Sequence, residues 1–242
     1  MWLIGVDDTD VLGSRGTGRL ARMVAAELES RGLQSCGVTR HQLLVHPAIP
    51  YTSHNSANCV AVMGDVGDAD AAFESLCRFV AADCPEGSDP GVCLVRSDRV
   101  APAVMAFGRK AQREVLRRED AEETAAREHC LLAGLAGTRG GVIGALAAVG
   151  LRAEGEDGRF LDLGRIRDLT GAVRVQELLD AGVASVRGRD GATPDPGDLV
   201  ETLDWVRPRL LGGRPVLLIE RSADHGADWV VADRRHDSRE PS

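Results

Sequence analysis

Apolar and polar residues change their spacing several times along the chain, and each change marks an element. Trp2-Leu3-Ile4-Gly5-Val6 is an apolar run that stops at Asp7, the pattern of a short buried strand. From Thr17 to Arg31, Leu20, Met23, Val24 and Leu28 recur at helical spacing, with Gly32 beyond the end and Thr17 placed to cap the start. Strands are predicted over 37–45 and 59–63, a helix over 68–82, and a strand over 91–95 introduced by Asp89-Pro90-Gly91. Arg109 to Cys130 mixes Arg and Glu as an exposed helix does. A glycine-rich turn at 137–141 then opens a second, strongly apolar helix reaching Gly150. A hairpin turn over 154–158, a strand at Phe160-Leu161 and a short helix within 169–179 follow. Strands over 216–219 and 229–231 come next, then a polar tail from Arg234 that is predicted to be disordered. Strands alternating with helices through mixed connections indicate an α/β or α+β fold.

Composition narrows this picture. Of the 242 residues 43% are apolar but only 3% aromatic, so the core must be built from Val, Leu and Ala. No apolar run is long enough to span a membrane, and no secretory signal is visible. The net charge of −8 argues against generic nucleic-acid binding, which draws its affinity from neutralised phosphates. Six cysteines form no C-x-x-C pair, so they read as small buried hydrophobes of a reducing, cytoplasmic protein, with no zinc site.

The densest chemistry is Asp7-Asp8-Thr9-Asp10 followed by Gly13-Ser14-Arg15-Gly16-Thr17-Gly18. Two unit charges ~4 Å apart repel by about 4 kcal/mol at a surface-like dielectric. Such a cluster needs open water, a cation, or a raised pKa. The adjoining helix start offers backbone N–H groups and partial positive charge, so strand end and loop together suit a Mg-bound phosphate. On a continued strand Asp8 and Asp10 share a face and form the metal pair, with Asp7 orienting or acting as base. The alternative is a solvated Asp turn. Thr17 is either a plain cap or a hydroxyl that meets phosphate. The polar stretch Tyr51 to Ser56 includes Ser53 and His54 as nucleotide-binding candidates, and Gly140 and Gly141 open the second helix beside a possible anion. Close helix packing is the competing use of those glycines. His41, His46, His129 and His225 read as structural or solvated.

Asp7-Asp8-Thr9-Asp10 with Thr17, Leu44 to Tyr51, Asp89-Pro90-Gly91 and Gly140 to Gly150 together resemble archaeal tRNA-isoleucine 2-agmatinylcytidine synthetase, in the same order. The resemblance implies a mixed-sheet, kinase-like ATP-using domain over 1–110, a helical connector with a ferredoxin-like α+β domain over 111–233, and a tail over 234–242. It also implies ATP and Mg²⁺ as cofactors, Asp7, Asp8 and Asp10 at the metal–phosphate centre, and Thr17 as a threonine able to carry phosphate. Gly16 and Gly18 join the nucleotide site. The family's loop cations are replaced here by Thr52 and His54, and its zinc-ribbon cysteines have no counterpart.

The function expected is ATP- and Mg-dependent phosphoryl transfer to, or ligase-type activation of, a small acceptor such as an amine. A non-catalytic nucleotide- or small-molecule-binding module and a tRNA-modifying enzyme working with a partner chain are the alternatives. Acting alone the chain is not expected to take tRNA, no membrane is involved, and a homodimer is compatible with the sequence.

Overall fold

The computed structural model describes residues 1–11, 13, 16–49, 54–223 and 226–232. The chain divides into two compact units, the first Met1–Asp162 with Leu210–Gly213, the second the remainder. The first unit opens with β1 (Trp2–Asp7), α1 (Thr17–Ser30), β2 (Gln34–Gln42), β3 (Ser56–Met63), α2 (Ala69–Asp83) and β4 (Gly91–Arg96). It continues with α3 (Pro102–Ala111), α4 (Arg118–Arg127), β5 (Leu131–Gly134), α5 (Val142–Glu154) and β6 (Arg159–Asp162). Strand β1 pairs antiparallel with both β3 and β4, β2 lies outside β3, β5 outside β4 and β6 outside β2. The order β4-β1-β3-β2 for a β-α-β-β-α-β run is the ferredoxin-like arrangement.

That arrangement corrects the expected division. The ferredoxin-like order occupies residues 2–96 rather than a segment of 111–233, and the chain divides after Asp162 rather than after Lys110. The reason is packing. Val104, Phe107, Ala121, Ala125, Val142, Leu146 and Val149 of α3, α4 and α5 share one core with Leu3, Cys59 and Cys93 of the sheet. Strand alternation assigns the two faces. Leu3 and Gly5 of β1, Ala57, Cys59 and Ala61 of β3, and Cys93 and Val95 of β4 face α5. Ile4, Val6, Val60, Val62, Val92 and Leu94 face α1 and α2, against Leu20, Val24, Leu28, Leu76 and Val80. Each strand is therefore buried on both sides, which is why the runs read as continuously apolar.

Local signals account for most boundaries. Asp68 caps α2 by accepting the Ala71 N–H at 2.8 Å, and Pro102 begins α3 where its missing N–H costs nothing. The segment expected as one helix from Arg109 to Cys130 is two, because α3 ends at Ala111 and Arg117 starts α4 with its N–H on Asp120 Oδ2 at 2.9 Å. The hairpin expected over 154–158 is instead a helix end, with Gly155 in the left-handed region at φ 82°.

The second unit contains β7 (Ala172–Arg174), α6 (Val175–Asp180), β8 (Ser185–Gly188) and β9 (Leu199–Glu201). After β10 (Arg209–Leu211) come β11 (Arg214–Arg221) and β12 (Trp229–Val231). Strand β11 runs parallel to β8 and antiparallel to β12, β12 parallel to β9, and β9 antiparallel to β7. Trp229 is buried with its indole N–H on Asp198 Oδ2 at 2.8 Å. The helix expected within 169–179 is confined to the six residues of α6. No helix is long and apolar enough to cross a membrane among the described residues. The polar tail from Arg234 lies outside the described residues.

Candidate functional site

Alternation along β1 directs Asp7 to the same face as Leu3 and Gly5, toward α5. There the helix carries Gly144, and a Cβ at that position would stand 1.7 Å from Asp7 Oδ2. The Asp7 carboxylate is thus pressed directly onto the first turn of α5, the positive end of that helix dipole. The neighbouring backbones are equally close. A Cβ at Gly5 would be 1.9 Å from the Ala145 carbonyl oxygen, and one at Gly91 2.1 Å from the Gly141 carbonyl carbon.

Asp8 ends the strand. Its φ of 51° is left-handed, a region that Asp tolerates better than most side chains. The expectation that Asp8 and Asp10 share a strand face is therefore corrected: β1 stops at Asp7 and a turn, not strand period, places them. The cap assignment changes too. Gly16, at φ 77°, is the N-cap of α1 and Thr17 is its first helical residue. Relieved of capping, the buried Thr17 hydroxyl donates to Asp10 Oδ1 at 3.0 Å.

A fourth carboxylate completes the group. The Asp89 N–H donates to the Asp8 carbonyl at 3.0 Å, and the Thr138 hydroxyl donates to Asp89 Oδ2. The other oxygen, Asp89 Oδ1, is buried without a hydrogen-bond partner. Burial, then the Asp89 and Asp10 charges, raise Asp8 to about 6. Burial, then Asp8 and more weakly Asp10, hold Asp7 well above the ordinary carboxylate range. Two further sealed oxygens, Thr9 Oγ1 and Asn58 Oδ1, also have no partner. Reading the sequence assigned Asp89 only to a strand-opening turn. Its distance along the chain from Asp8 concealed it, and the Asp-Pro-Gly motif was its one signal.

Both glycine junctions reach this sheet end. A Cβ at Gly16 would be 3.9 Å from Asp10 Oδ2, and one at Gly140 3.4 Å from Asp89 Oδ2. A Cβ at Gly18 would be 2.9 Å from Leu161, and one at Gly141 2.3 Å from the Asp89 carbonyl oxygen, to which the Gly141 N–H donates at 3.2 Å. The structure thus brings Asp7, Asp8, Asp10, Thr17, Gly16, Gly18, Gly140 and Gly141 together. Gly18 and Gly141 serve close packing as well. His54 is exposed just before β3, while Ser53 lies outside the described residues, as does His225.

His41 is structural. It is wholly buried, with Nδ1 3.0 Å from Asp157 Oδ2 and Nε2 2.8 Å from Thr39 Oγ1, and burial lowers its pKa. Among the described residues no three His, Cys, Asp or Glu side chains converge into a protein-only metal cage. Mg²⁺ does not require one, since it takes one or two carboxylates and completes its shell with phosphate and water. The all-oxygen donor set, and the unpartnered Asp89 Oδ1 beside like charges, fit that ion.

No model of a known protein family matches the chain. Over 152 residues it is 33% identical to the tRNA-isoleucine 2-agmatinylcytidine synthetase TiaS of Methanocorpusculum labreanum, 61% of this chain and 34% of that protein. It is also similar to the crystal structure of a tRNA fluorescent labeling enzyme, with TM-score 0.53 and 29% identity over 62% of this chain and 35% of the other. A complex of TiaS with its isoleucine tRNA and ATP matches with TM-score 0.52 and 27% identity over 62% of this chain and 36% of the other. A complex of TiaS with the same tRNA, AMPCPP and agmatine is 24% identical with TM-score 0.54. It covers 85% of this chain and 52% of its own, and speaks for the fold. The chain spans about a third of the length of the curated relative it matches. The resemblance read from the motifs therefore holds, and the fold is α+β. The expectation that the chain on its own does not take tRNA finds no support in the relative that was solved bound to it.

Proposed function

We propose that the acidic end of β1 binds a nucleoside triphosphate with Mg²⁺ and activates an oxygen of an acceptor by phosphoryl transfer. The observation carrying this reading is the meeting of four carboxylates, Asp7, Asp8, Asp10 and Asp89, with the N-termini of α1 and α5. Carboxylates alone repel one another, and helix N-termini alone attract any anion. Placed together they suit a cation held against a phosphate. Asp8 and Asp10 would hold the ion, with phosphate oxygens and water completing its shell. Bound Mg²⁺ would supply charge neutralisation on the phosphate oxygens.

This chain's own residues then have distinct tasks. Asp10 fixes the Thr17 hydroxyl at the first turn of α1, where it can accept or guide a phosphoryl group. The positive ends of α1 at Gly16 and of α5 at Gly140–Gly141 would favour the developing negative charge, as phosphoryl transfer requires of a positioning site. Asp7, kept protonated more readily by burial, donates or withdraws a proton beside α5. Similarity to a 2-agmatinylcytidine synthetase, and to one solved with its isoleucine tRNA and ATP, supports an ATP-using reading with a tRNA and an amine as the candidate substrates.

The test is ATP turnover with Mg²⁺, measured as phosphate release with and without agmatine and tRNA. Activity that needs Mg²⁺ and falls at least tenfold in Asp8→Asn supports the reading. If wild-type protein neither binds nor hydrolyses ATP, the reading is wrong.

A further inference from the structure

Sheet register and the path of the chain into α5 place one further charged residue at the rim of the acidic end. Asp7 of β1 pairs with Gly91 of β4, and Gly91 pairs with Gly134 of β5, so the three form one row across the sheet. The chain entering α5 runs along that row. Gly144 lies against Asp7 and Gly141 against Gly91. Arg139 lies against Gly134, where a Cβ would stand 2.4 Å from Arg139 Cβ and 2.9 Å from its Cγ. The stem of Arg139 is therefore two strand spacings from Asp7, about 10 Å. A bound triphosphate and an extended arginine side chain together span that gap.

Arg139 has no other use for its charge. Arg118 also reaches this turn, donating to the Thr138 carbonyl at 3.2 Å, but Glu119 at 2.8 Å and Glu122 at 3.5 Å hold its guanidinium. Arg139 is exposed and, among the described residues, forms no ion pair and no side-chain hydrogen bond. The nearby acids do not claim it: Asp89 accepts from the Thr138 hydroxyl, and Asp7 and Asp8 pair with no Arg or Lys among the described residues. Its backbone is also held against preference. A φ of 65° is left-handed and suits glycine, which stands at 137, 140 and 141 around it. The Arg139 N–H donates to the Ala136 carbonyl at 3.2 Å and its carbonyl accepts from the Val142 N–H at 3.4 Å, so the turn itself maintains this geometry. Strain of this kind at the edge of a site accompanies a side chain that is used there.

Charge balance identifies the ligand. Four carboxylates and a triphosphate neutralised by a single divalent ion remain strongly negative, and their repulsion has to be offset by a cation. Building on the nucleotide reading, we propose that Arg139 is that cation, binding the phosphate oxygens that the metal ion leaves uncovered. Its planar fork meets two oxygens at once, which a point charge does not. The same contact would stabilise charge on the phosphoryl group as it is transferred.

The experiment measures binding of MgATP, inorganic pyrophosphate with Mg²⁺, and adenosine by calorimetry. The proteins are wild type, Arg139→Gly, Arg139→Gln and the control Arg78→Gln, whose residue pairs with Glu74 on α2. Glycine relieves the left-handed backbone, so Arg139→Gly should melt no lower than wild type and its binding loss is then not one of folding. Both Arg139 variants should weaken MgATP and pyrophosphate about 10- to 100-fold and leave adenosine unchanged, with Arg78→Gln like wild type. If both bind MgATP within twofold of wild type, the role of Arg139 is refuted while the nucleotide reading stands. Equal weakening of adenosine, or an Arg139→Gly protein that melts well below wild type, makes Arg139 a structural residue and overturns the proposal as well. If wild type binds pyrophosphate but not MgATP, and Arg139→Gly abolishes that binding, the phosphate role stands and the nucleotide reading falls. Binding of neither anion by wild type overturns both.

Discussion

Gly144→Ala isolates the contact on which the acidic site is built. In an ordinary helix this substitution stabilises by about 1 kcal/mol. Here the added methyl would stand 1.7 Å from Asp7 Oδ2, 2.4 Å from its Cγ and 2.9 Å from its Cβ. Relief requires the carboxylate or the helix to move by more than an ångström. The helix has little freedom, because Gly5 and Gly91 bring it into direct backbone contact with β1 and β4 through Ala145 and Gly141. Overpacking of this kind costs roughly 1–3 kcal/mol, so after the helix gain a net loss of up to about 2 kcal/mol is expected. For a chain of this size that lowers Tm by up to roughly 8 °C in thermal denaturation followed by circular dichroism. The cycle with Asp7→Ala locates the cause. Removing the carboxylate takes away the obstacle, so Gly144→Ala should become neutral or stabilising in that background, a coupling of about 1 kcal/mol or more. A Gly144→Ala protein that melts above wild type, or one equally destabilised with Asp7→Ala, would refute the packing of Asp7 on α5.

The remaining predictions concern charge and hydrogen bonding. Asp7 and Asp8 titrate above their unfolded values, so their ionised forms are disfavoured in the fold; metal-free protein should gain their contribution as pH falls from about 7 toward 4, and Asp8→Asn should raise Tm at pH 7 but not at pH 4. Adding Mg²⁺ should raise the wild-type Tm at pH 7 and leave Asp8→Asn nearly unmoved, as a thermal shift would show; equal shifts in both proteins would remove Asp8 from the metal site. Thr17→Val should lower ATP turnover while Thr17→Ser retains it, because only the serine keeps the donor to Asp10 Oδ1. His41→Leu should destabilise by about 1–3 kcal/mol in urea denaturation by leaving Asp157 and Thr39 without the ring. Burial lowers the His41 pKa, so that site's contribution is present above about 6.5 and should decline as pH falls below it.

Sequence alone settled whatever depends on neighbours along the chain. The runs at 2–6 and 229–231, the 3.6-residue spacing over 17–31 and the carboxylates closing β1 were legible because side-chain period and turn chemistry are local. Gly5, Gly91, Gly141 and Gly144 showed that backbones approach closely somewhere, without showing that α5 is the common partner. Asp89 stayed invisible beside the acidic strand end, since sheet order and register bring it there from a strand far away in sequence. The division after Asp162 was hidden for the same reason: α5 looks like the start of a new domain until its apolar face is found buried on the first sheet. Local composition decides which elements form and where charge is concentrated. Burial of both sheet faces, a property of the folded chain only, decides which charges meet.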